Sequence, residues 1–178
     1  MESFKENGME IEKQKKHPIR KRIRLEEYDY SKQGAYFVTI CTKDRKKLFW
    51  DVGADIIRPK TIMLSEIGEI VDRAICQIPN HYSNVCVDQY CIMPEHIHMI
   101  IRIERTENGR MISAPTISTI VGSMKRWVSM QISFSIWQKS FINRVIRNEK
   151  GYRAVWEYIE NNPIKLDTGY DMPDFENM

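Results

Sequence analysis

Hydrophobic residues recur along this chain in two periods, and each change of period marks an element. Tyr36-Phe37-Val38-Thr39-Ile40-Cys41-Thr42 is dense in β-branched and aromatic residues, which predicts a central strand. Short extended pieces are expected around Leu48–Trp50 and Thr61–Leu64. From Ser65, a natural N-cap, Ile67, Ile70, Val71, Ala74, Ile75 and Ile78 recur at helical spacing, which predicts an amphipathic helix facing a sheet. Val85–Met93 and His96–Ile103 read as two strands joined at Pro94-Glu95. A loop from Gly109 to Pro115 leads to a helix from about Thr116 to Ser133, with Ile117, Ile120, Val121, Met124, Trp127, Val128 and Ile132 as its stripe. Phe141–Ile146 is a further strand. Asn148 is placed to cap a last helix that ends at Pro163, because proline cannot continue a helix. The order β β α β β α β α lacks strict β-α-β repetition, so the expected class is α+β, with a mainly antiparallel sheet flanked by helices.

Composition adds a little. A chain of 178 residues is long enough to bury a core without disulfides. The four cysteines, Cys41, Cys76, Cys86 and Cys91, form no Cys-x-x-Cys pair and fit buried thiols in a reducing compartment. No apolar run approaches the roughly 18 residues of a membrane span, and the first residues lack a secretory apolar stretch. The expected location is the cytoplasm.

Charge changes the picture more. The net charge is only +3, but residues 1–12 hold four acids against one lysine, and residues 167–178 hold four acids and no base. Residues 13–166 therefore carry 26 bases and 16 acids, a balance suited to a polyanionic partner. Lys13, Lys15, Lys16, Arg20, Lys21, Arg22 and Arg24 form a run without an acid, placed to follow phosphates. The expected organisation is a flexible arm over residues 1–18, a folded domain over 19–166 and an acidic tail over 167–178.

Two short patterns carry candidate chemistry. In Met93-Pro94-Glu95-His96-Ile97-His98-Met99, strand alternation sends His96 and His98 to one face and Ile97 and Met99 to the other. Imidazoles roughly 6–7 Å apart along one strand face can share a divalent ion, although two half-buried, hydrogen-bonded histidines would read the same way. In Trp156-Glu157-Tyr158-Ile159-Glu160-Asn161-Asn162-Pro163, Tyr158 and Asn162 lie one helical turn apart. Tyr158 is expected at the flank of a stripe formed by Tyr152, Val155, Trp156 and Ile159. Such a tyrosine is ordinarily a packed ring with a wet hydroxyl. Together the patterns offer two imidazoles, a phenol and an amide, a set that could align a phenol for attack on a phosphodiester.

Four stretches, IRKRIRLEEYDYSKQGAYFVTICTKDR, VDQYCIMPEHIHMIIRI, IVGSMKR and WQKSFINRVIRNEKGYRAVWEYIENNPIKL, give the chain a family resemblance from Ile19 to Leu166. It resembles the REP-associated tyrosine transposases, and more widely the single-domain tyrosine transposases of the smallest bacterial insertion sequences. The resemblance implies a ferredoxin-like histidine–hydrophobe–histidine nuclease fold. It implies His96, His98 and Asn162 as ligands of Mg²⁺ or Mn²⁺, and Tyr158 as a nucleophile that forms a 5′-phosphotyrosine and frees a 3′-hydroxyl. The implied substrate is single-stranded DNA bearing hairpins, handled by a homodimer or a monomer. Candidate DNA contacts are Arg20, Lys21, Arg22, Arg24, Lys125, Arg126, Arg144 and Arg147. Many relatives carry histidine where this chain has Arg144, which keeps a phosphate donor but loses a proton that switches near neutrality. Glu95 stands where asparagine is frequent. Two other readings use the same residues: a host-retained hairpin-binding protein that no longer cuts, and a metal hydrolase with water as nucleophile.

Overall fold

The computed structural model describes residues 33–51, 63–104 and 115–165. The basic run from Lys13 to Arg24, the expected arm and tail, and Thr61 lie outside them. The elements are β1 (Gly34–Cys41), α1 (Glu66–Cys76), α2 (Ile78–His81), β2 (Val85–Ile92), β3 (His96–Ile103), α3 (Ile117–Gln131), β4 (Ile142–Ile146) and α4 (Glu149–Asn161). The strands form one antiparallel sheet in the order β2-β3-β1-β4. The class is α+β, as the periodicity predicts. Among the described residues no helix is long and apolar enough to cross a membrane.

Local signals place the helix starts well. The side chains of Ser65, Thr116 and Asn148 each accept a hydrogen bond from the backbone N–H three residues on, at Gly68, Thr119 and Gly151. The ends differ more. Among the described residues of the extended pieces before α1, Trp50 bridges Leu64 and no longer strand forms. α3 stops at Gln131, and Ser133 takes a positive φ of 63° where the chain turns back. α4 ends at Asn161, and the chain passes Pro163 in a 3-10 turn, Asn162–Lys165, rather than halting there. Cys41 and Cys91 are buried as expected, whereas Cys76 is exposed and Cys86 only half-buried.

Each sheet face carries its own core. Tyr36, Val38 and Ile40 of β1 and Ile97, Met99, Ile101 and Ile103 of β3 point to one face, covered by α1 and α3 through Val71, Ile75, Ile120, Val121 and Val128. The other face carries Phe37, Cys91, Ile100 and Ile146, covered by α4 through Val155, Tyr158 and Ile159. Tyr158 therefore sits in the packed layer at 9% exposure, not at its flank, while Tyr152 and Trp156 are only half-buried against it. The physical reason is that, among the described residues, α4 is the one helix that covers this second core, so its burial reaches further around the helix than the expected stripe.

One close approach fixes how α1 meets the sheet. Gly68 lies under the Phe49 carbonyl, and a β-carbon there would run into that oxygen and meet Leu64 Cβ at 3.1 Å. Alanine ordinarily favours a helix by about 1 kcal/mol over glycine. Here Gly68→Ala is expected to destabilise the fold instead, because backbone must shift. A rise in the urea midpoint of this variant would refute the close contact.

Candidate active site

The polar groups of the second sheet face come from three strands and one helix. β1 and β3 pair so that Cys41 opposes His96 and Thr39 opposes His98, while Cys91 of β2 opposes His98 from the other side. The turn that launches β3 is held firmly. The Glu95 carbonyl accepts from Thr42 N at 2.9 Å and Thr42 Oγ1 at 3.1 Å, and the Pro94 carbonyl accepts from Leu48 N and Phe49 N. The position of His96 therefore follows from backbone hydrogen bonds rather than from a loop.

His98 is 3% exposed and engaged at both nitrogens. Its Nδ1 lies 2.9 Å from Thr39 Oγ1, and its Nε2 lies 3.4 Å from the Tyr158 hydroxyl. Phe37 stacks on the imidazole with ring centroids 5.2 Å apart, and the His96 ring meets it edge-on at 4.5 Å. His96 Nδ1 lies 3.2 Å from Glu95 Oε1. Sequence alternation thus identifies the two histidines and their shared face correctly. It does not reveal Thr39, which is the one polar residue among buried apolar neighbours in β1 and was readable only as an oddity.

Electrostatics follow from burial. Desolvation, aided by the charges of His96 and Arg45, lowers the pKa of His98 to about 3. Desolvation lowers His96 as well, opposed by the Glu95 carboxylate and reinforced by Arg45. Both rings are therefore neutral near pH 7, the form in which imidazole binds metals. The Tyr158 phenol is pushed up by burial and drawn back by a hydrogen bond with Asn162. Asn162 thus meets Tyr158, one turn away, as the spacing suggests. Among the described residues no three of His, Cys, Asp and Glu are arranged to hold a metal.

Helix α4 is fixed by a polar anchor that sequence reasoning missed. Asp88 falls at an irregularity in the β2–β3 register. Its carboxylate accepts from Arg102 Nε at 2.9 Å, Arg102 Nη2 at 3.0 Å and the Tyr152 hydroxyl at 2.9 Å. Tyr152 lies six residues before Tyr158, so this anchor limits the slide and rotation of the helix that carries the phenol.

The candidate DNA contacts are scattered. Arg144 pairs with Phe37 in β4 and so belongs to the histidine face. Arg147 is exposed just beyond β4. Lys125 is committed elsewhere: its ammonium donates to the Gln138 and Ser140 carbonyls at 3.0 and 3.3 Å and lies over Trp137 and Phe141. Arg126 is on α3, the helix that covers the other face. Arg20, Lys21, Arg22 and Arg24 lie outside the described residues.

No family model matches the chain. An uncharacterized protein of Haemophilus influenzae is 33% identical over 164 residues, which span 82% of this chain and 88% of the relative. A second protein of that organism, described as "Putative REP-associated tyrosine transposase", is 26% identical over 145 residues, 77% of this chain and 74% of its own. The solved structure of a REP-associated tyrosine transposase bound to a REP hairpin shares the fold, with a TM-score of 0.57 at 21% identity over 80% of this chain and 75% of that one. In sequence and in fold the chain is similar to the REP-associated tyrosine transposases. In this chain the histidine pair and Tyr158 meet on one sheet face, and Asn162 hydrogen-bonds the phenol.

The neutral, buried His98 has a consequence for stability. An unfolded histidine titrates near about 6.5, so between that value and about 3 the unfolded chain binds the proton that the fold refuses. Stability should therefore fall on acidification below about pH 6.5, by up to about 1.4 kcal/mol per pH unit from this group. The depressed His96 acts in the same sense. In denaturant titrations, His98→Gln should flatten the acid-side slope by about one proton relative to the wild type. Equal slopes in the two proteins would contradict the buried neutral imidazole.

Proposed function

We propose that the protein is a transposase-type nuclease that cleaves and rejoins single-stranded DNA at hairpin sites, with Tyr158 as its nucleophile. The observation that carries this reading is the 3.4 Å contact between the Tyr158 hydroxyl and His98 Nε2, made in a dry face by a helix anchored at Asp88. The relative described as bound to a REP hairpin supports the choice of substrate.

Two imidazoles with an amide oxygen suit a divalent ion: Mg²⁺ or Mn²⁺ is what the resemblance implies, and the imidazoles would equally suit Zn²⁺ or Ni²⁺. Thr39 and Glu95 occupy the Nδ1 atoms of His98 and His96, as outer partners of metal-bound histidines ordinarily do; Nε2 of His96 would then face the ion, and Nε2 of His98 would take it in exchange for its contact with the Tyr158 hydroxyl. Asn162 offers an amide oxygen as a third donor and an NH₂ group that can hold the phenol oxygen. When bound, the ion supplies charge neutralisation at the scissile phosphate and alignment of the attacking oxygen.

The chain's own residues supply the rest. Burial leaves Tyr158 less ionised than the one in a thousand expected of a free phenol near pH 7. In the ion-free site His98, with its pKa near 3, is too weak a base to keep the proton, so it orients the phenol rather than deprotonating it. The phenol oxygen attacks phosphorus, the bond to the 3′ oxygen breaks, and that oxygen takes up the proton as a 3′-hydroxyl. The strand's 5′ phosphate is left on Tyr158, and the reverse attack rejoins the DNA without a nucleotide cofactor. Arg144 provides a fixed cation on the same face, suited to phosphate binding but not to proton transfer.

Tyr158→Phe keeps the ring packing and removes only the attacking oxygen. We expect a folded protein that binds hairpin DNA and forms no covalent adduct, while the wild type with Mg²⁺ or Mn²⁺ gives a complex stable to boiling in detergent. Cleavage by the Phe variant at the wild-type rate would hand the reaction to water. The outer-partner role of Glu95 is tested separately: Glu95→Ala should weaken Mn²⁺ binding by about 10- to 100-fold, read by Mn²⁺ paramagnetic resonance titration. Undiminished Mn²⁺ affinity would remove Glu95 from the site.

A further inference from the structure

Beyond the end of β1 the chain makes a strained turn. Asp44 and Arg45 both adopt positive φ, 57° and 53°, a conformation that costs a non-glycine residue about 1–3 kcal/mol. The turn is pinned on all sides. Lys43 N donates to the Ile136 carbonyl at 2.7 Å and Arg45 N to the Thr42 carbonyl at 3.3 Å, while the one Thr42 hydroxyl hydrogen is shared between the Lys46 carbonyl at 2.8 Å and the Glu95 carbonyl at 3.1 Å. The facing wall is pinned as well: Gln138 N donates to the Cys41 carbonyl at 2.9 Å, and Trp137 Nε1 to the Lys125 carbonyl at 3.0 Å.

Between these walls lies a groove of about 400 Å³ lined by Lys43, Arg45 and Lys139, with Trp137 and Gln138 beneath. A second depression shares Ser135, Trp137, Gln138 and Lys139 and continues to Arg126. Asp44 is the one acid among the lining residues of the two. Arg45 links the groove to the histidine pair: it follows the end of β1, where Cys41 opposes His96, and its charge acts on Cys41, His96 and His98 alike.

We propose that this groove binds the sugar-phosphate backbone of the substrate strand immediately beside the scissile phosphate, with Lys43, Arg45 and Lys139 as the phosphate contacts. The proposal rests on the reading of the substrate as single-stranded DNA. A pinned, basic, open groove suits a continuous polyanion better than a compact anion, which would need enclosing donors. Backbone contacts of this kind fix register rather than sequence. The backbone strain at Arg45 is explained if the turn's task is to hold that guanidinium toward the histidines. Lys125 has a different task here: it ties down the carbonyls of the groove's far wall.

The test is the salt dependence of binding to a thymidine homopolymer and to a hairpin oligonucleotide, for the wild type and for the triple variant Lys43→Ala/Arg45→Ala/Lys139→Ala. Loss of three phosphate contacts should reduce the log–log slope by about 2 and weaken low-salt affinity by roughly one to two orders of magnitude on both probes. Photocrosslinking of iodouracil-substituted homopolymer to the wild type should mark the peptide from Ser135 to Lys139, a readout that does not depend on how the variant folds. An unchanged slope, or crosslinks confined to other segments, would overturn the groove assignment. If the slope flattens but the wild type forms no covalent adduct, the groove stands and the transposase chemistry falls. If the wild type forms the adduct and the slope is unchanged, the chemistry stands and the groove falls.

Discussion

The site depends on a helix packing over a sheet face that is apolar except where imidazole, hydroxyl and phenol interrupt it. Phe37, Cys91, Met93, Ile100, Val155 and Ile159 exclude water from that face. A buried imidazole without partners would cost several kcal/mol, and the contacts of His98 with Thr39 and Tyr158 offset that cost. The row Thr39–His98–Tyr158 is therefore a packing solution before it is a chemical one. The same dryness keeps His98 neutral and Tyr158 protonated, so readiness for a cation and reluctance of the phenol to ionise have one physical origin.

The two helical layers have different tasks. α1 and α3 cover the larger core, which holds the sheet together and contributes none of the candidate chemical groups. α4 covers the smaller one and is positioned by a charged anchor as well as by apolar area. Asp88 joins Arg102, Tyr152 and the sheet edge, and Arg102 also pairs with Glu104. A hydrogen-bonded carboxylate specifies one rotation of a helix where apolar packing alone would tolerate several.

Much of this architecture is legible in the chain, because the informative patterns are local. The 3.6 and 2.0 periods define α1, α3, β1 and β3, and Ser65, Thr116 and Asn148 announce the helix starts. His-x-His on a strand fixes a common face by geometry alone. What escapes is set by pairing between distant segments. Thr39 gains its role only when β1 registers against β3, and Asp88 only when a register irregularity turns it toward α4. Tyr158 reads as a flank residue because helical periodicity describes one face, whereas burial depends on what the helix lies against. Lys125 reads as a free cation because nothing in the sequence says that two loop carbonyls will meet its ammonium.

The sequence distances inside the site carry a last consequence. Thr39 and His98 are separated by 59 residues, and His98 and Tyr158 by 60. Each contact closes a long stretch of chain, and such closures come late in folding because their entropic cost precedes their reward. During synthesis the histidine pair leaves the ribosome well before the phenol. A growing or truncated chain can thus hold the histidines without the complete site. The three-part arrangement comes into being only in a finished molecule.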